Sequence, residues 1–236
     1  ISVVHNSKPT MSEFLNHFQH LYNNGMGENG IFNTHVASKQ SDREEIIGVN
    51  PCGEILFTQS KQLCNLSAVV IRNEDTINSI KKKLKLATQL AMYQSLFNDF
   101  KHVSNAWHQN TIDDSIIGVC LTGIFDNDLT INADKETLKE FRSIVRIESE
   151  RMAKIINIPI PKAYTSIKPS GSSSQLYNCS SGIHPTYSPF YIRRVNVSKD
   201  HPINNFLIDN GVQYEESIYN SANNIFNFYQ KANNNF

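Results

Sequence analysis

Apolar residues recur at helical spacing in three windows of the chain. Phe14, Leu15, Phe18 and Leu21 predict a helix over 11–24. Ile80, Leu84, Ala87, Ala91 and Leu96 mark one side of a longer helix over about 76–103. Leu138, Phe141, Val145 and Met152 mark a third, with Asp134 as its N-cap and its end near Ile156. Between them lie short β-like runs: Ser67–Arg72, Ile116–Leu121, Tyr164–Ile167 and Tyr191–Val197. A glycine-rich turn and the polar segment Ser38–Glu45 follow the first helix. The tail is rich in asparagine (Asn223, Asn224, Asn227, Asn233 to Asn235) yet carries Phe226, Phe228 and Tyr229, and the sequence does not decide between frayed helix and disorder. Strands alternating with long helices predict α/β layering. There is no internal repeat.

Composition narrows the function classes. The 236 residues carry 22 basic and 22 acidic side chains and a net charge of +0, which implies no broad pull toward nucleic acid or an anionic membrane. The basic run Lys81-Lys82-Lys83 is read as the solvated face of a helix. No apolar stretch has membrane-spanning length and no signal peptide heads the chain, so a cytoplasmic enzyme is expected. Four scattered cysteines do not make a disulfide scaffold.

The candidate chemistry begins at Asn50-Pro51-Cys52-Gly53-Glu54-Ile55, with a second thiol at Cys64. On an extended backbone, side chains 50, 52 and 54 would share one side, bringing an amide, a thiol and a carboxylate together. That is a redox or radical site in outline. A buried structural cysteine is the plainer reading of any one thiol. The spacing does not fit zinc, and eight histidines make a protease partner too easy to find to count as evidence. A second motif, Lys168 to Leu176, follows a β-like run. Its small hydroxyl residues around Gly171 suit a loop and helix start that receive an anion, or an ordinary serine-rich turn. A third, Ser181 to Val195, combines turn residues, aromatics and Arg193-Arg194 before a strand.

In this order the segments resemble the catalytic subunit of ribonucleotide reductases, most closely the adenosylcobalamin-dependent class. Asn50, Cys52 and Glu54 match that family's finger-loop motif Asn-x-Cys-x-Glu, within a finger loop of about 48–66. Pro169, Ser170, Gly171, Ser172, Ser173 and Ser174 match its phosphate loop, within 168–176. Ser181 to Val195 is similar almost letter for letter to its SGIHP-x-YSPYYIRRV segment. Gly27 to Asn33 resembles its GEPGIFNR turn, and Gly118 to Ile124 its GVSLTGI strand. The likeness spans about Gly25 to Val195.

The resemblance implies a fold, a chemistry and a set of partners. The fold would be part of a ten-stranded α/β barrel, of the type shared with glycyl-radical enzymes, with the finger loop at its centre. Cys52 would carry the thiyl radical, Glu54 would act as base on the ribose 3′-hydroxyl, and Asn50 would orient the substrate. Cys64 would be one member of a reducing thiol pair, and 169–174 would hold the phosphates. Adenosylcobalamin would be the radical source, a ribonucleotide the substrate, and a thioredoxin-like protein or dithiol the reductant. The family's first reducing cysteine lies far upstream of the finger loop, and no cysteine precedes Cys52 here. Cys120 and Cys179 read as structural. The resemblance thus implies one partial catalytic barrel domain over 1–236. The amino-terminal strands and effector region would lie outside it, as would the last strands, and the chain alone would be unstable or prone to aggregate. The alternatives are an inactive or split fragment that needs a partner chain, a class I large subunit, and a glycyl-radical reductase.

Overall fold

The computed structural model describes residues 2–25, 28–41, 43 and 45–232. Gly27, part of one motif above, lies outside them, as do Asp42, Glu44 and the tail residues Asn233 to Asn235.

The first unit is strand, helix, strand. Strand β1 (Ser2–His5) leads into α1 (Met11–Asn24). Thr10 and Glu13 form a reciprocal capping box at the start of this helix, and Gly25, at φ 63°, closes it with a bond to the Leu21 carbonyl. Strand β2 (Gly30–Asn33) then pairs in parallel with β1, and Asn33 caps α2 (Thr34–Gln40). Helix α1 forms where its periodicity predicts, but no residue of it is buried, and Phe14, Leu15 and Phe18 all lie open to solvent.

Next, β3 (Gly48–Val49) and β4 (Leu56–Phe57) make a two-rung antiparallel hairpin. The main layer follows: β5 (Asn65–Val70), α3 (Ile77–Gln94), α4 (Asn105–Asp114), β6 (Ile117–Thr122), α5 (Asp128–Ile131) and α6 (Lys135–Ile156). Strands β5 and β6 are parallel, Asn65 opposite Ile117 through Val70 opposite Thr122, and Thr165 bridges in parallel to Val119. Alternation then sorts the side chains. Val69, Ile71, Ile117 and Val119 face α3 and α6 and build the core with Ile80, Leu84, Ala91, Met92, Phe141 and Val145. On β6 the residues between them, Gly118, Cys120 and Thr122, occupy the opposite face.

After α7 (Ser173–Tyr177) comes β7 (Phe190–Ser198), then α8 (Pro202–Asp209), β8 (Tyr214–Glu216) and β9 (Asn223–Lys231), in an antiparallel sheet of order β7-β9-β8.

Three expectations change. The long helix over 76–103 stops at Gln94; Leu96 and Phe97 are exposed, so no apolar stripe continues, and a separate α4 begins at Asn105. The tail, open in sequence between frayed helix and disorder, is neither over its described residues but strand: β9 alternates, and Phe226 is fully buried within it. The run Tyr164–Ile167 contributes a single bridge to the sheet rather than a full strand. Among the described residues the strands form four separate sheets. No helix among them is long and apolar enough to cross a membrane.

Candidate functional site

The β3–β4 hairpin presents the Asn50–Glu54 segment. The Asn50 N–H donates to the Ile55 carbonyl at 3.1 Å, and the Gly53 N–H donates to the Asn50 carbonyl at 2.9 Å. The second bond defines a turn over 50–53 with asparagine first, proline second and glycine last, the residue order of a type I turn. Gly53 takes φ +82°, the left-handed region. The backbone is therefore not extended as the alternate spacing suggested. Even so, Asn50 and Glu54 meet: Asn50 Nδ2 donates to Glu54 Oε2 at 2.6 Å, while Asn50 Oδ1 accepts the Ile55 N–H at 2.9 Å. Cys52 stands exposed at the tip.

Cys64 lies at the entrance to β5. Its Sγ is 3.3 Å from where a Cβ on Gly118 would stand, so the absent side chain leaves room for this thiol. Burial pushes the Cys64 thiol up to about 12; the Glu54 carboxylate adds to the rise and the Arg43 guanidinium opposes it. Glu54, Cys64 and Arg43 thus share one electrostatic neighbourhood. Glu54 and Arg43 also line a cleft of about 400 Å³ with Ile117, Lys162, Tyr164 and Thr165. Arg43 donates to the Leu56 carbonyl at the base of the hairpin, and its Nη1 is buried without a hydrogen-bond partner among the described residues.

A buried carboxylate ties the hairpin's exit to the main layer. Asp114, at the end of α4, is 1% exposed. It accepts from Lys162 Nζ at 2.5 Å, from Gln62 Nε2 at 2.5 Å and from the Thr58 hydroxyl. Burial raises its pKa, but the bonds from Lys162, Thr58 and Gln62 outweigh that and hold it below the usual carboxylate range. Sequence reading missed Arg43, Asp114 and Lys162. Nothing local marks them: the partners of Asp114 lie 48 to 56 residues from it, and Arg43 reaches the Leu56 carbonyl 13 residues on.

The second expected site residue group, 169–174, follows the Thr165 bridge. Ser170 has φ 56° and turns inward; its hydroxyl and that of Thr122 on β6 hydrogen-bond at 2.9 Å. The Ser174 N–H returns to the Ser170 carbonyl at 3.0 Å, and the Ser174 hydroxyl bonds the Gly171 carbonyl. Ser170 and Ser174 are therefore buried and committed to the loop itself. Gly171 and Ser172 face outward, and a Cβ on Gly171 would meet nothing within 4 Å. The third motif packs directly on this loop. Gly182, at φ +44°, has room for no Cβ, which would stand 2.4 Å from the Lys168 carbonyl and 2.9 Å from that of Pro169. Asp126 reinforces the joint by accepting the Ser180 N–H at 2.7 Å.

The remaining thiols are free. Cys120 is buried on the face of β6 away from the helices, its Sγ 3.3 Å from the Ser67 carbonyl, and burial raises its pKa. Cys179 is half-buried beside α7. No group of histidine, cysteine and carboxylate side chains among the described residues is arranged to hold a metal ion.

No protein-family model matches the chain. It is 28% identical over 182 residues to a probable adenosylcobalamin-dependent ribonucleoside-triphosphate reductase of Dictyostelium discoideum, covering 75% of this chain and 23% of that protein. The corresponding reductase of Euglena gracilis is 26% identical over 174 residues, covering 73% and 23%. That of Lacticaseibacillus paracasei is 25% identical over 242 residues, covering 86% and 31%. The crystal structure of a B12-dependent (class II) ribonucleotide reductase superposes with a TM-score of 0.67 at 21% identity, over 87% of this chain and 33% of that one. The chain spans about a quarter to a third of the length of these proteins. In sequence and in fold, it is similar to one part of the catalytic chain of an adenosylcobalamin-dependent, class II ribonucleotide reductase.

Proposed function

We propose that this chain supplies the finger loop and phosphate loop of a ribonucleotide reductase that converts ribonucleoside triphosphates to 2′-deoxyribonucleotides by thiyl-radical chemistry. The triphosphate preference follows the names of its relatives. The observation that carries the reading is the turn itself. Asn50 and Glu54 are bonded at its base, Cys52 stands at its tip, and the Glu54 charge acts on Cys64.

In this reading Cys52, as a thiyl radical, takes the hydrogen from the ribose 3′-carbon. Glu54 accepts the 3′-hydroxyl proton, which requires a carboxylate within hydrogen-bond reach. Asn50 orients the substrate, and its bond to Glu54 also fixes the direction of that carboxylate. The 2′-hydroxyl leaves as water, and Cys64 with a second thiol gives up two electrons and two protons to form a disulfide. Cys52 then returns the hydrogen to the 3′-carbon. The high pKa of Cys64 suits a hydrogen donor that must stay protonated. An external dithiol or thioredoxin-like protein reduces the disulfide again. Gly171 and Ser172 face the nucleotide's phosphates, with Ser170 and Ser174 shaping the loop beneath them.

Adenosylcobalamin, when bound, supplies the initiating radical. The residues present fit such a source: Cys52 is exposed, and a Cβ on its neighbour Gly53 would meet nothing within 4 Å, so a bulky group has room to approach. The parallel β5–β6 layer and its Thr165 bridge serve as one sector of a ten-stranded barrel, completed by the rest of the enzyme. The four free cysteines agree with a reducing, cytoplasmic setting.

The test is deoxynucleotide formation by the complete reductase containing this chain. Product should require adenosylcobalamin and a dithiol, and Cys52→Ala should abolish it. Activity without the cofactor would refute the class, and an active Cys52→Ala would refute the mechanism.

A further inference from the structure

We infer that Arg72 is a positioning residue for the substrate's phosphates. From the end of β5 it holds the far end of the phosphate-loop helix, and so sets where Gly171 and Ser172 meet an anion. The inference rests on the reading of 168–176 as a phosphate loop.

Helix α7 has five residues, too few to stand without outside support. It is fixed at both ends. At the start, the Ser170 hydroxyl is tied to Thr122 on β6. At the finish, the Arg72 guanidinium donates from Nη2 to the Tyr177 carbonyl at 2.6 Å and from Nη1 to the Asn178 carbonyl at 2.8 Å. These carbonyls lie at the helix end, where acceptors lack intrahelical partners and a cation is favoured. The planar fork of arginine reaches both at once.

Arg72 is itself held rigidly. Its N–H donates to Asp75 Oδ2 at 2.8 Å, and its carbonyl accepts from Asn127 Nδ2 at 2.8 Å. That same amide also reaches the Asn73 and Asp75 carbonyls. One residue earlier, the Ile71 N–H bonds the Thr122 carbonyl at 2.8 Å. The two struts under the loop therefore rise from neighbouring strand ends that are bonded to each other. A shift of the arginine end would tilt α7 about Ser170 and move Gly171 and Ser172 with it. Arg72 touches no substrate atom in this arrangement; it acts through α7.

The experiment compares Arg72→Ala and Arg72→Gln with the wild type in the complete reductase, measuring steady-state kinetics with cytidine triphosphate. Direct binding of cytidine triphosphate and of inorganic tripolyphosphate is measured in parallel. The expected result is a KM raised about tenfold with kcat within about twofold, and equal weakening of both probes, since the displaced loop meets the phosphates alone. A tenfold change corresponds to about 1.4 kcal/mol. Arg72→Gln keeps the stem and one donor group, and carries the test if Arg72→Ala fails to fold. Unchanged KM and unchanged binding in a folded variant would overturn the inference and leave the phosphate-loop reading standing. A fall in kcat alone would also overturn it. If the wild type binds cytidine triphosphate while Gly171→Ala binds it equally well, the phosphate-loop reading itself falls, and the inference with it.

Discussion

The amide of Asn50 is oriented by its own hairpin: its oxygen is taken by the Ile55 N–H, which leaves the nitrogen to face Glu54 at 2.6 Å. The carboxylate is thus held by a donor that cannot rotate away without giving up the bond between its own oxygen and the Ile55 N–H.

Replacing Asn50 with aspartate removes that donor and sets a second carboxylate against Glu54. Asn50→Asp should lower kcat by at least about tenfold and shift the acid limb of the pH–rate profile upward, because like charges resist ionising together. Asn50→Ala should lower kcat with less effect on the profile. Steady-state rates between pH 5 and 9 distinguish the two.

Cys64 makes stability depend on alkaline pH. Its thiol is raised from 9.0 to about 12, so the fold favours the neutral form. The contribution is complete below about pH 9 and is lost as pH rises toward about 12. Thermal midpoints of the wild type should therefore fall more steeply over that range than those of Cys64→Ser, which has no thiol to ionise. At pH 8, iodoacetamide should label the exposed Cys52 well before Cys64, read by peptide mass spectrometry.

Asp114 should be the costliest single carboxylate to remove. Asp114→Ala leaves the Thr58 and Gln62 donors without their shared acceptor while the half-exposed Lys162 ammonium returns to water, a loss of about 1–3 kcal/mol for unpaired part-buried donors. Asp114→Asn should cost less, since it keeps one acceptor oxygen. The lowered pKa of Asp114 gives the opposite pH dependence to Cys64: its stabilisation is present above about 3.8 and lost as pH falls below it. Urea titrations at pH 7 and pH 3 measure both effects.

Gly171 offers a clean separation of folding from binding. Its φ is not in the left-handed region, and a Cβ there meets open space, so Gly171→Ala should leave the melting temperature within about 2 °C, the shift expected from a few tenths of a kcal/mol. Nucleotide binding should weaken nonetheless, because the new methyl group occupies the side from which a phosphate approaches. Calorimetry and equilibrium dialysis on the same preparation would show both.

Much of the main layer is legible in the sequence because its elements bury one face each. The alternation in Val69, Ile71, Ile117 and Val119 and the helical spacing of Ile80, Leu84, Phe141 and Val145 all point into one core. Leu138 fits the same spacing but is half exposed, since it lies in the first turn of α6, at the edge of the helix contact. The turn at Asn50 was readable from Asn-Pro-x-Gly, yet alternate spacing suggested an extended strand. Phe226 was visible as an apolar residue, but three-strand pairing, not local propensity, makes β9 a strand. The pairing of Arg72 with Tyr177 and Asn178 spans more than a hundred residues, and no local pattern could announce it. The motif order, by contrast, needed no structure to be read.

Gly182 gives the chain a constraint that neither of its motifs holds alone. The Lys168 and Pro169 carbonyls fill the space where its side chain would begin, so the backbone of one motif serves as the wall of the other. Two stretches that look like separate words in the sequence are thus spelled together. A change of loop length after Pro169 would have to be matched at 182, and a domain graft that carried 168–176 without 180–184 would transplant the letters of the loop but not its shape.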